Sequence, residues 1–204
     1  MNLTGAVFIG GPPCGGKTRV ADALAKNERF LAYHADDVLL SKDICTEDQP
    51  NMWALKEKNW DFIWREPGSK RFQFWLDYYR EAFLLASREI SGMHDVGTVV
   101  AEGECLLPEF IVEYDVKNVI YLLPTTDFFE RKLREKYDFF RYIWSMSDFE
   151  LVFANIIETM NELNEYVGTE AKKAGFPAIM VDGKQEIGVN INLVSDMIQS
   201  ITPR

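Results

Sequence analysis

One stretch near the start of the chain limits the folds open to it more than any other. Gly11-Pro12-Pro13-Cys14-Gly15-Gly16-Lys17-Thr18 follows the apolar run Ala6-Val7-Phe8-Ile9 and precedes a helix-period segment with Val20, Ala21, Leu24 and Ala25 on one side. It fits G-x-x-x-x-G-K-[ST] at every fixed position, in the strand–loop–helix setting the pattern needs. Small residues let successive backbone N–H groups converge on an anion at a helix N-terminus, whose dipole favours negative charge. Gly11, Pro12, Pro13, Cys14, Gly15, Gly16 and Arg19 are therefore candidate nucleotide contacts. The Lys17 ammonium is placed to reach the β- and γ-phosphates, and the Thr18 hydroxyl to help hold Mg²⁺.

Four more short apolar runs read as strands: Phe30–His34, Thr98–Ala101, Asn118–Leu123 (closed by Pro124) and Ala178–Val181. Helix-period stripes alternate with them. Phe72, Trp75, Tyr79, Phe83 and Ala86 form one, with Phe74 and Tyr78 off it. Phe149, Val152, Phe153, Ile156, Met160, Leu163 and Val167 form a second, and Leu193, Val194, Met197, Ile198 and Ile201 a third. Strands alternating with helices indicate an α/β fold with a parallel sheet. With no repeat and no Ser/Gly-rich linker, residues 1–204 read as one domain.

Composition narrows the function. A formal net charge of -10 argues against a protein that tracks a polyphosphate backbone, so nucleic acid is not the expected partner. Three widely spaced cysteines suggest neither a disulfide framework nor a metal site. No leader or membrane-length apolar run is evident, so a cytoplasmic protein with no membrane partner is expected. No Asn-Lys-x-Asp guanine motif occurs, which disfavours a GTPase.

In parallel α/β sheets, ligands bind beyond the carboxyl ends of the strands. Acidic residues stand at three such ends: Asp36 and Asp37, Glu102, and Asp182. A carboxylate at Glu102 suits a substrate hydroxyl or Mg²⁺-bound water, and Gly103 permits close backbone approach. Glu104 ranks below it. The competing reading makes Asp36 and Asp37 helix caps and Glu102 a solvated strand-end acid.

With the phosphate loop and the Asp-Asp pair after the second strand, the chain resembles the nucleoside-monophosphate-kinase-like branch of P-loop kinases. That group includes shikimate, gluconate and adenylate kinases and small kinases with the same Asp-Asp motif. The resemblance implies a three-layer P-loop NTPase fold, with a five-stranded parallel sheet, helices on both faces and a small helical lid over residues 131–148. It implies ATP and Mg²⁺ as cofactors and transfer of the γ-phosphoryl group to a hydroxyl of a small-molecule acceptor held by residues 38–95. Asp36 matches the carboxylate that orients and deprotonates that hydroxyl, Asp37 and Gly103 adjoin the acceptor, and Thr18 and Glu102 match the metal side. Shikimate- and gluconate-type kinases place an Asp two residues earlier, where this chain has His34.

On the helix after the fourth strand, the resemblance assigns Arg131 to the nucleotide and Arg134 to the transferring phosphoryl group, with Arg141 delivered by the lid. It sets Gly183 and Lys184 beside the base, and makes Arg65, Lys70, Arg71 and Arg80 candidate acceptor contacts. The Asp-Asp motif also resembles polynucleotide 5′-hydroxyl kinases, and a non-catalytic ATP-binding regulatory module is a further alternative. The oligomeric state is left open.

Overall fold

The computed structural model describes residues 2–40, 44–57, 61–93, 97–114, 116–135 and 148–201. The apolar runs form five strands: β1 (Val7–Gly10), β2 (Phe30–His34), β3 (Thr98–Gly103), β4 (Val119–Pro124) and β5 (Ala178–Val181). All pairings are parallel and the order is β2-β3-β1-β4-β5. The helices are α1 (Lys17–Leu24), α2 (Ala35–Leu40), α3 (Pro50–Glu57), α4 (Asp61–Trp64), α5 (Gly68–Ser91), α6 (Pro108–Glu113), α7 (Thr126–Glu135), α8 (Phe149–Ala174) and α9 (Ile187–Ile201). This is the expected α/β architecture. Three strands differ slightly from the sequence reading: β1 runs Val7–Gly10 and not Ala6–Ile9, β3 extends to Gly103, and β4 runs Val119–Pro124 and not Asn118–Leu123.

Because side chains alternate across a strand, each face of the sheet has its own core. Val7, Ile9, Val100, Ile120 and Leu122 pack with Val20, Ala21 and Leu24 of α1 and Val194 and Ile198 of α9. Phe8, Tyr33, Ala101, Val119 and Tyr121 pack on the other face, beneath α5 and α8. Near-continuous apolar strands are what a sheet covered on both sides requires.

The 24-residue α5 corrects the expected stripe. Trp75, Tyr79, Phe83 and Ala86 are buried as expected, but Tyr78 is buried too, and Phe72 only partly. Helix α5 packs against α2, α3, α4 and α8, so more than one of its faces is covered. Phe74 and Tyr78 stack on each other at 6.3 Å and extend the core.

Two of the suggested acceptor cations are used in structural contacts. Arg71 is buried and ties α5 to α8, donating to Thr159 Oγ1 at 2.9 Å and to the Glu66 carbonyl and pairing with Glu158. Lys70 pairs with Glu66 at the surface. In α9, Leu193 of the expected stripe is exposed. Among the described residues no helix is long and apolar enough to cross a membrane.

Candidate active site

The phosphate loop leaves β1 at the centre of the sheet. Gly11 holds φ +128°, and a Cβ there would lie 2.3 Å from the Leu122 carbonyl oxygen of β4, so only glycine fits. Cys14 also adopts the left-handed region, at φ +67°. Lys17 opens α1 and is only 5% exposed, and its ammonium donates to the Pro12 carbonyl at 3.0 Å across the loop. Cys14, Gly15, Gly16, Lys17, Thr18 and Arg19 all line a cavity of about 580 Å³. The far side of that cavity is formed by Phe128 and Lys132 of α7 and by Val181, Gly183 and Asn190.

The sheet register brings the acids to the same end. Glu102 sits level with Ile9 of β1 and His34 of β2, one residue before the rung that pairs Gly10 with Gly103. Glu102 is 2% exposed, which corrects the solvated reading. Its Oε1 accepts from Thr18 Oγ1 at 3.0 Å and lies 2.9 Å from His34 Nδ1, whereas Oε2 is buried with no partner among the described residues. Burial acts to lower the His34 pKa, but the adjacent Glu102 and Asp22 carboxylates outweigh it and the pKa is raised.

Asp36 stands in the first turn of α2, and its Oδ1 accepts the Glu104 N–H at 2.7 Å. That bond reaches across to the residue after β3, so Asp36 does more than open its own helix. Burial pushes the Asp36 carboxyl above the usual range, against the pull of the Lys17 ammonium and the Glu104 N–H. Asp37 is exposed on the same turn. Gly103 presses on Asp36, since a Cβ there would stand 2.9 Å from Asp36 Oδ1.

Glu104 is drawn further into this group than its sequence position suggests. It accepts from the Tyr79 hydroxyl at 2.8 Å, and burial together with Asp36 pushes it up to about 7, the Lys17 ammonium pulling the other way. Nothing local signals a pair 25 residues apart in sequence; only the packing of α5 under β3 creates it.

An orphaned buried carboxylate oxygen beside a hydroxyl whose proton is already donated fits Mg²⁺. Thr18 Oγ1 donates its proton to Glu102, so its lone pairs can face a cation, and Mg²⁺ characteristically takes few protein ligands and retains waters and phosphate oxygens. Among the described residues no group of three or more His, Cys, Asp or Glu could hold a metal by itself.

Comparison with solved structures identifies the architecture. The chain is similar to deoxyadenosine kinase from M. mycoides with bound dATP, at TM-score 0.53 and 16% identity over 95% of this chain and 99% of that one. It is also similar to a candidate kinase from Chloroflexus aurantiacus, at TM-score 0.51 and 14% identity over 99% and 100% of the two chains. The chain shares with these two kinases its three-layer α/β fold, a five-stranded parallel sheet with helices on both faces. No protein-family model and no curated protein matches the sequence.

Within this fold, the residues expected around the base are partly assembled. Arg131 lies 5.3 Å from the Phe128 ring centroid, on the side of Gly183. Lys132, which the sequence reading passes over, lines the cavity itself. Arg134 does not line it; its guanidinium bonds Glu130 at 2.7 Å and sits 5.4 Å from the Phe153 ring centroid. Asp182 accepts the Lys184 N–H at 2.9 Å, as an ordinary turn residue does. Arg141 and residues 136–147 of the expected lid lie outside the described residues.

Proposed function

We propose that this protein transfers the γ-phosphoryl group of ATP, bound with Mg²⁺, to a hydroxyl group of a small molecule. One observation carries the reading: Thr18 of the phosphate loop bonds Glu102 at the end of β3, where the Glu104 N–H also holds Asp36, within the field of the Lys17 ammonium. A loop that merely bound nucleotide would not need a desolvated carboxylate facing its lysine.

In this reading the triphosphate lies along the loop, its base toward Phe128, Arg131 and Gly183, and Lys17 Nζ exchanges the Pro12 carbonyl for phosphate oxygens. Thr18 and Glu102 would hold Mg²⁺, which neutralises charge on the transferring group. Asp36 accepts the acceptor hydroxyl's proton through Oδ2 while the Glu104 N–H holds Oδ1. The acceptor O–H bond breaks, the new O–P bond forms, and the bond from the γ-phosphorus to the β,γ-bridging oxygen breaks to release ADP. The protein's part is positioning and electrostatics.

A thermal-shift and turnover series tests this. ATP–Mg²⁺ raises Tm, and Lys17→Ala removes most of that rise; no shift with any nucleoside triphosphate would refute nucleotide binding. ADP release is then screened over hydroxylated acceptors, with nucleosides first because one fold neighbour is a deoxyadenosine kinase, followed by sugars and aminoglycosides. With the active acceptor, Asp36→Asn lowers kcat by about a hundredfold or more with ATP affinity nearly unchanged. Wild-type turnover in that variant would remove Asp36 from the chemistry.

A further inference from the structure

Four side chains join α1 to two strand ends. Thr18 and Asp22 are four residues apart and share a face of α1. His34 and Glu102 are partners on one rung of the β2–β3 pairing, so their side chains stand side by side. The His34 ring lies between the two acids, with Nδ1 2.9 Å from Glu102 Oε1 and Nε2 3.3 Å from Asp22 Oδ1. Thr18 Oγ1 donates to the same Glu102 oxygen at 3.0 Å.

The result for Glu102 is asymmetric. Both bonds go to Oε1, while Oε2, in a side chain only 2% exposed, has no partner among the described residues. A buried carboxylate oxygen without a donor costs free energy unless a cation or water takes it up. The His34 bond fixes which oxygen that is.

Resting on the magnesium-dependent reading above, we propose that His34 is a positioning residue. It clamps Glu102 through Oε1, so that Oε2 and the Thr18 hydroxyl together serve the divalent cation. A histidine kept only to close the end of β2 would bond either neighbour to the same effect. The clamp requires a donor at the Nδ1 position, directed at Glu102.

Two isosteric replacements separate these roles. The amide of His34→Asn places its nitrogen near the position of Nδ1, within reach of Glu102. The amide of His34→Gln reaches the position of Nε2, toward Asp22. The readouts are Mn²⁺ affinity of the protein–ATP complex, followed by electron paramagnetic resonance, the Mg²⁺ concentration for half-maximal velocity, and ATP affinity in excess chelator.

In His34→Gln and His34→Ala, Mn²⁺ affinity falls and the Mg²⁺ requirement rises by about 10- to 100-fold, the range for loss of a group that orients a metal ligand. Metal-free ATP affinity stays within about twofold, since the loop amides and Lys17 are untouched. His34→Asn retains most of the wild-type cation affinity. Should His34→Ala fail to fold, the Asn–Gln pair still decides. Equal cation affinity in Asn and Gln variants, or a loss matched in metal-free ATP binding, overturns the proposal. A wild-type protein whose ATP complex takes up no Mn²⁺ would instead refute the magnesium-dependent reading beneath it.

Discussion

Gly103→Ala tests the link between packing and chemistry at one atom. Gly103 ends β3 opposite Gly10, and its Cα faces the start of α2. A Cβ there would stand 2.8 Å from the Ala35 Cβ and 2.9 Å from Asp36 Oδ1. Carbon contacts favour about 3.5–4.0 Å, so the Asp36 turn must retreat by about 1 Å. Overpacking of this kind costs about 1–3 kcal/mol. In a chain of this length, that lowers Tm by about 2–12 °C.

The chemical cost should be larger than the stability cost. The bond holding Asp36 Oδ1 comes from Glu104 N–H, on the very next residue, so the methyl group separates donor and acceptor as well. A misplacement of about 1 Å at a reacting group costs about a hundredfold in rate. Steady-state ADP release therefore shows kcat down about a hundredfold, while ATP–Mg²⁺ affinity changes by less than about threefold. Combining Gly103→Ala with Asp36→Asn adds little beyond Asp36→Asn alone, because both act on one carboxylate. A folded Gly103→Ala enzyme with near-wild-type kcat, or fully additive effects, would show that this contact does not set the reacting geometry.

Two further substitutions probe the packing around the site. Arg71→Met removes the guanidinium that ties α5 to α8; net loss of its bonds costs about 2 kcal/mol, read as a Tm drop of about 4–8 °C with kcat unchanged. A raised acceptor KM at unchanged Tm would return Arg71 to the acceptor site. Burial raises the Glu109 pKa, and its Oε2 has no partner among the described residues, so the folded state favours the protonated form. That contribution is present below the unfolded-state pKa and is lost as pH rises through the folded one. Glu109→Gln, which still accepts from Tyr166, therefore raises Tm at pH 7, with the gain shrinking as pH falls toward 4. An equal gain at both pH values would contradict this.

The legible parts of the fold were those written in local pattern. Phe30–His34 and Ala178–Val181 form strands with the bounds their apolar runs suggest, and the glycine-rich loop sits between β1 and α1. Periodicity failed where one helix is covered on several sides. A single stripe describes α8, where Phe149, Val152, Phe153, Ile156, Met160, Leu163 and Val167 are all buried. It does not describe α5, wedged among four other helices, where Tyr78 is as buried as Trp75. Arg71 shows the same limit, because a cation in an aromatic-rich segment looks like a ligand contact until α8 supplies its partners.

The candidate site divides along the same line. The phosphate loop is contiguous, so spacing alone reveals it; the acids are not, and their identity as a group depends on strand register. Parallel pairing sets Gly10, His34, Glu102 and Gly103 nearly level, and residues just past that level converge whatever their separation in sequence. The general rule for strand ends was enough to nominate Asp36 and Glu102. It could not say that Glu102 is enclosed by Thr18 and His34, or that Glu104 reaches Tyr79. Those contacts depend on which helix covers each rung: α1 lies over Glu102, while α5 lies under Glu104. The two carboxylates leave β3 on opposite faces, as alternate side chains must, and so face different partners. One is joined to the helix that carries the phosphate loop, and the other to the helix of the proposed acceptor segment. A single strand end thus connects both halves of the proposed reaction.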